Sequence, residues 1–234
     1  MTEHALITGA SPNTEPFRLT PQQIAYFETF GFLKVPGLFA ADFDDITAGF
    51  EEIFEDTQSY ETHEWLHFDD ERQIIPKFIE RSPKLARLHT DPRVLGVVRS
   101  LMGDNWEYAE SDGNLFYCDS SWHPDIYGAP LTQYHVKLSF YLDPLRADSG
   151  AIRMIPGTNH YLTNFAGSLV RYLQKPEEIE QTYGVKWDEI PSQVVETDPG
   201  DLVVWSFRTI HASFGGDARR RLFSMSFREP APSD

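Results

Sequence analysis

Two short stretches of the chain hold residue types from which a metal centre can be built. One is Trp122-His123-Pro124-Asp125. The other is Ile210-His211-Ala212-Ser213, which follows the strand-like run Asp201-Leu202-Val203-Val204-Trp205. On an extended segment, residues i and i+2 project to the same side, so His123 and Asp125 can approach one ion together. His211, at the end of a second strand, would complete a set of two imidazoles and one carboxylate. That set covers one face of a non-haem iron(II) ion and leaves three positions open. An H-x-D triplet alone fits a surface loop with an acid-paired histidine equally well. The other histidines, at 4, 63, 67, 89, 135 and 160, form no comparable pattern. The metal reading is favoured by order: H-x-D, a series of strands, a histidine at a strand end, then a basic strand.

That basic strand runs Arg219-Arg220-Arg221-Leu222-Phe223-Ser224-Met225-Ser226-Phe227. Adjacent arginines are often a solvated turn, here balanced by Asp217. An arginine that points inward would instead grip a carboxylate through its fixed two-pronged geometry. Alternation separates the two cases. Arg221, Phe223, Met225 and Phe227 share one face, whose large apolar groups gain most from packing on helices. Arg220, Leu222, Ser224 and Ser226 share the more polar face, which suits a barrel interior receiving a charged ligand. On the run His135–Leu142 the same reasoning puts Lys137 with Ser139 and Tyr141, opposite Leu138, Phe140 and Leu142. Lys137 then either looks into the barrel or lies exposed at an edge.

The elements that must position these residues fall into two textures. Residues 1 to 17 read as a mobile polar arm. Thr20-Pro21-Gln22-Gln23 is a helix start, with a capping Thr, Pro at the first helical position and Gln three after the cap. Gly31 ends that helix, and Phe32-Leu33-Lys34-Val35 reads as a short strand. Helical spacing recurs over 41 to 56 and over 92 to 102. Residues 60 to 72, with Trp65 and His67, lack periodicity and read as a lid or an irregular packed loop. After Gly103, strand-like runs cover 114–118, 135–142, 151–155, 193–196, 201–207 and 221–227. Asp148-Ser149-Gly150, Pro156-Gly157 and Pro199-Gly200 mark turns among them. Gly157-Thr158-Asn159-His160 reads as a turn closing a hairpin rather than a catalytic group. The expected organisation is one α+β domain over 18–234, helical to about 104, with a β core over about 105–230 and an insertion at about 162–190.

Composition excludes several functions. The formal net charge is −16, which repels phosphate backbones and argues against a nucleic-acid partner. There is one cysteine, Cys118, so neither an intrachain disulfide nor a multi-cysteine zinc site can form. Cys118 could lie near the metal or be a small buried hydrophobe. No apolar run has the length of a membrane span, and the N-terminus lacks the pattern of a signal peptide. A cytoplasmic protein with a small-molecule partner is the expectation, with the oligomeric state left open.

The stretch from Asn114 to Arg228 resembles the phytanoyl-CoA dioxygenase-like family of Fe(II)/2-oxoglutarate-dependent oxygenases. The resemblance rests on Trp122-His123-Pro124-Asp125, on Lys137 to Pro144, on Gly150 to His160, on Pro199-Gly200-Asp201-Leu202-Val203-Val204-Trp205, on His211-Ala212-Ser213 and on the arginine strand. The N-terminal helix with Gly31-Phe32-Leu33-Lys34-Val35-Pro36-Gly37 is similar to the family's start. This resemblance implies a double-stranded β-helix, the cupin-like jelly roll, with N-terminal helices packed on one sheet. It implies Fe(II) held by His123, Asp125 and His211. It implies 2-oxoglutarate as co-substrate, with Arg220 on its far carboxylate and Lys137 and Ser213 as further contacts. The implied reaction consumes O2, releases succinate and CO2, and hydroxylates an unactivated carbon of a small-molecule metabolite. A halogenating relative would need a small residue at Asp125, so the carboxylate argues for hydroxylation or a related desaturation or cyclisation. The alternatives are a cupin-type metal enzyme that ignores 2-oxoglutarate and a non-catalytic jelly-roll binding module. The family acts on several kinds of substrate, and no motif here selects among them.

Overall fold

A computed structural model describes residues 17–55, 72–126, 133–160, 166–167, 169–170, 175–216 and 219–231. The expected arm over 1–17, apart from its last residue, and the lid residues Trp65 and His67 lie outside the described residues, as does Asp217.

The first helix, α1 (Pro21–Phe30), starts as expected. Thr20 accepts from the Gln23 backbone, and the Gln23 side chain accepts from the Thr20 backbone. The Gly31 N–H donates to the Phe27 carbonyl at 2.8 Å and ends the helix in the left-handed region, at φ +85. A Cβ on Gly31 would meet Thr209 Oγ1 at 2.4 Å, so this glycine also admits the turn that leads to His211. Strand β1 (Phe32–Val35) follows, then α2 (Phe43–Glu55), β2 (Arg72–Pro76), the short α3 (Pro83–Ala86) and α4 (Pro92–Met102). The remaining strands are β3 (Glu107–Phe116), β4 (Ser120–His123), β5 (His135–Tyr141), β6 (Ile152–Met154), β7 (Gln193–Val195), β8 (Leu202–Ser206), β9 (His211–Ser213) and β10 (Arg220–Arg228). A helix, α5 (Pro176–Tyr183), lies in the expected insertion between β6 and β7.

The strands form a six-stranded sheet, ordered β1-β8-β5-β10-β3-β2, and a four-stranded sheet, ordered β4-β9-β6-β7. All pairings are antiparallel. From β3 to β10 the chain passes back and forth between the two sheets, with β6 and β7 consecutive and paired within the smaller one. Four strands differ from the sequence reading: β3, β2, and the short β4 and β9, which the sequence reading leaves as an extended segment and as the end of the preceding strand. The expected strand at 114–118 begins earlier, at Glu107, because its polar first half is drawn into the ladder opposite Arg228 and Phe227 of β10. Edge strand β2 was not expected. Only its pairing with β3 makes Arg72–Pro76 a strand.

Three apolar clusters divide the molecule into layers. Phe27, Ile46, Phe50, Val94 and Val97 from the helices pack on Leu138, Phe140, Phe223, Met225 and Phe227 of the larger sheet. Phe140 and Phe223 stack there at 4.7 Å. Between the sheets, Tyr141, Val203 and Trp205 meet Ile152, Met154 and Val195. Outside the smaller sheet, Trp122, Ile210, Ala212 and Phe214 are covered by Ile179 of α5 and its neighbours. The expected face of β10 therefore packs on the helices, and its alternate face points between the sheets. Among the described residues, no helix is long and apolar enough to cross a membrane.

Candidate functional site

Strands β4 and β9 are neighbours, and His123 sits directly opposite His211. The ladder is irregular between Ser120 and His123, because three steps on β4 match two on β9. Such a bulge re-aims side chains. Trp122 is fully buried in the outer cluster and donates its indole N–H to the Trp187 carbonyl at 2.6 Å. Anchoring Trp122 outward turns His123 inward. Two residues on, the Asp125 N–H donates to the Phe207 carbonyl at 2.8 Å, which ties the end of this segment to the end of β8. The turn before His211 is pinned as well. Thr209 Oγ1 donates to the Gly31 carbonyl at 2.8 Å, and the Ile210 N–H donates to Thr158 Oγ1 at 2.9 Å. Thr158 thus serves as a brace, in keeping with the turn expected over Gly157-Thr158-Asn159-His160.

The three side chains converge. One ligand atom from each of His123, Asp125 and His211 lies within 4.8 Å of the others. Both rings are oriented by backbone carbonyls. His123 Nδ1 donates to the Ser121 carbonyl at 2.7 Å, and His211 Nδ1 donates to the Thr209 carbonyl at 2.9 Å. This leaves each Nε2 as the free lone pair, and both Nε2 atoms lie 3.8 Å from the same carboxylate oxygen, Asp125 Oδ1. Carbonyl-oriented imidazoles aimed at one point are the usual support of a metal-binding histidine. Charge states agree. Burial, with smaller contributions from His123 and Lys137, lowers the His211 pKa to about 4 against the pull of Asp125, so the ring is neutral near pH 7. Burial works against the Asp125 carboxylate, but Lys137, both histidines and Trp205 hold its pKa well below the usual range.

The second oxygen of Asp125 is engaged elsewhere. Trp205 Nε1 donates to Oδ2 at 3.0 Å, and Lys137 Nζ lies 3.7 Å from it. Lys137 therefore does point inward, with Asp112 Oδ1 as a second partner at 3.5 Å. Trp205 and Asp112 were not singled out from the sequence. Trp205 lies directly opposite Lys137 on the same face, in a register that the pairing of β5 with β8 sets.

Arg220 lies on that inner face too, at the other end of β10. It is only 3% exposed. Its guanidinium donates to the Gly150 carbonyl at 3.0 Å, to Ser213 Oγ and to the Cys118 carbonyl. Ser213 Oγ in turn donates to the Gly150 carbonyl at 2.6 Å. Arg220 Nε is buried without a partner among the described residues, and no described carboxylate lies within ion-pair distance of the group. Burial lowers its pKa. Gly150, at φ +85, makes the room: a Cβ there would meet Arg220 Nη1 at 2.5 Å. Cys118 approaches this cation by its carbonyl and is half-buried.

The sequence matches the profile of the phytanoyl-CoA dioxygenase (PhyH) family over residues 27–222. No curated protein sequence matches the chain. Among solved structures, HygX from Streptomyces hygroscopicus, with nickel and 2-oxoglutarate bound, superposes with a TM-score of 0.71 at 20% identity, covering 92% of this chain and 88% of that one. EctD from S. alaskensis, with 2-oxoglutarate and 5-hydroxyectoine, gives 0.71 at 19% identity over 95% and 80%. The α-ketoglutarate-dependent carbocyclase SnoK of nogalamycin biosynthesis gives 0.69 at 18% identity over 90% and 84%.

Proposed function

The chain belongs to the phytanoyl-CoA dioxygenase family, and on that premise we propose that it is an iron(II)- and 2-oxoglutarate-dependent oxygenase that hydroxylates an unactivated carbon of a small molecule. The strand orders β8-β5-β10-β3 and β4-β9-β6-β7 are read as the two sheets of a double-stranded β-helix. The observation that carries the proposal is the pairing, inside one barrel, of a convergent His-Asp-His set with a buried arginine that has no carboxylate within ion-pair distance among the described residues. Desolvating a cation is expensive unless an anion answers it. A dicarboxylate whose keto acid end chelates the metal supplies that anion. The nickel and 2-oxoglutarate bound in HygX, and the 2-oxoglutarate in EctD, support this assignment.

The residues divide the work. His123 and His211 would each offer an Nε2 lone pair and Asp125 its Oδ1, a set suited to one face of the ion. Arg220, braced by Gly150 and Ser213, takes the far carboxylate of the co-substrate. The side chains of Ile152, Met154, Val195 and Val203 exclude water between the sheets. When bound, the metal with 2-oxoglutarate and O2 supplies the oxidising chemistry, with succinate and CO2 as co-products.

The test follows succinate release from 2-oxoglutarate by the iron-loaded protein, in air and without oxygen, across a broad metabolite panel. Oxygen-dependent succinate, raised by one class of compound, is the expected result. Its absence throughout would favour a metal enzyme that ignores 2-oxoglutarate, or a binding module on the same fold.

A further inference from the structure

The two oxygens of Asp125 have different surroundings, and that difference constrains how the carboxylate can meet a metal. Oδ1 faces both histidine Nε2 atoms at 3.8 Å. Oδ2 faces away, toward the Trp205 indole N–H at 3.0 Å and the Lys137 ammonium at 3.7 Å. Neither donor is free to drift. Trp205 is 3% exposed within the cluster between the sheets, and its ring lies against that of His211 at 5.3 Å. Lys137 is drawn from the other side by Asp112 at 3.5 Å, and the Asn114 side chain donates to the second oxygen of Asp112 at 2.5 Å. A chain of contacts therefore runs from Asn114 through Asp112 and Lys137 to the metal carboxylate.

We infer that Trp205 and Lys137 are positioning residues that hold Asp125 Oδ2 off the metal and keep the carboxylate a one-oxygen ligand. The inference rests on the site being an iron and 2-oxoglutarate centre. A facial triad leaves three positions, of which a chelating co-substrate takes two and oxygen the third. A carboxylate free to turn its second oxygen inward would close one of them. Two donors on Oδ2 oppose that turn, because a hydrogen bond to a charged acceptor is stronger than one between neutral groups. The purpose of the arrangement is then to keep coordination positions open rather than to raise metal affinity.

Cobalt(II), which can be handled in air, is the probe. Calorimetry measures its affinity for wild type, Trp205→Phe and Lys137→Met, and then the affinity of each cobalt-loaded protein for 2-oxoglutarate. The expected result is that both variants bind Co(II) as tightly as wild type or more tightly, while 2-oxoglutarate binds about tenfold more weakly, the loss of one charge-assisted hydrogen bond. Second-site residues that merely stiffen a ligand shell would instead lose metal affinity, on the order of 10- to 100-fold, and that outcome overturns the inference. So do wild-type values for both ligands. A weaker 2-oxoglutarate in Lys137→Met alone would make Lys137 a direct ligand of the co-substrate and also overturn it. Should Trp205→Phe fail to fold, the visible absorption of cobalt-loaded Lys137→Met decides the question. A band weaker than that of wild type, the sign of an added carboxylate oxygen in the coordination of the ion, supports positioning, and an unchanged band with weakened 2-oxoglutarate opposes it. Failure of wild type to bind Co(II), or binding that survives His211→Ala, would sink the metal reading itself and is distinct from all of these.

Discussion

Adjacent residues on β10 occupy opposite situations. Arg221 points to the helical side. There Asp143 takes its guanidinium in three contacts across both oxygens, at 2.5, 3.1 and 3.3 Å, and Glu51 of α2 takes another at 2.6 Å. The Asp143 contact, with Glu51 behind it and against some burial, raises its pKa. Arg220 points between the sheets, is more deeply buried, and among the described residues donates to two carbonyls and a hydroxyl. The face that packs on the helices answers its cation with two carboxylates. The face proposed to carry the chemistry leaves Arg220 without one among the described residues.

The comparison breaks most completely at the metal end of the inner face. His211→Ala and His123→Ala should each abolish stoichiometric iron binding, measured by metal analysis after anaerobic loading, because two remaining ligands hold a divalent ion poorly. Their melting temperatures without metal should stay near that of wild type, and for buried His211 within the cost of a small cavity. Normal iron content in both variants would remove the triad. Next in size is Arg220→Ala. Removing one member of a buried charge-assisted pair costs roughly 2 to 5 kcal/mol, so the 2-oxoglutarate requirement should rise well over tenfold. An unchanged requirement would show that another group grips the co-substrate.

Much of this contrast was legible in the sequence. Phe223, Met225 and Phe227 must leave water, so strand alternation alone sends Arg221 with them and Arg220 the other way. His123 and Asp125 were legible through their i, i+2 spacing, and His211 through its place soon after an apolar strand, although it opens β9 rather than ending β8. Less legible were features set by pairing between distant segments. The bulge in β4 that brings His123 opposite His211 has no local signature. Trp205 read only as one more apolar residue of β8, because its partner Asp125 lies 80 residues away. Edge strand β2 borrows its order from β3. Gly150 read as a turn residue, with nothing local to say that its missing Cβ is where Arg220 lies.

That glycine gives a smaller test of the same comparison. Gly150→Ala asks an L residue to hold φ +85, which costs about 1 to 2 kcal/mol, and it presses a methyl group on the guanidinium. Melting temperature should fall, and 2-oxoglutarate affinity should drop several-fold in the folded fraction. If affinity is unchanged while stability falls, Gly150 serves the turn and not the arginine.

The smallest effect belongs to the other face, and it is the stricter check. Arg221→Ala removes a cation that is about a fifth exposed and shared between two carboxylates, each also partly exposed. Solvent screens such pairs, and exposed ones are typically worth between zero and about 1 kcal/mol. The bidentate geometry with Asp143 and the added Glu51 put this network at the upper end, so a loss of about 1 kcal/mol in denaturant unfolding is expected. That loss should shrink at high salt, since the Debye length falls to about 3 Å at 1 M, whereas the Arg220→Ala defect concerns a buried group and should keep most of its size. The 2-oxoglutarate requirement of Arg221→Ala should stay within about twofold of wild type, because the strand itself separates this side chain from the interior. A larger co-substrate defect in Arg221→Ala than in Arg220→Ala would mean that the register of β10 is displaced by one residue. The two faces would then exchange roles, and every inward assignment on that strand, from Leu222 to Ser226, would have to move with them.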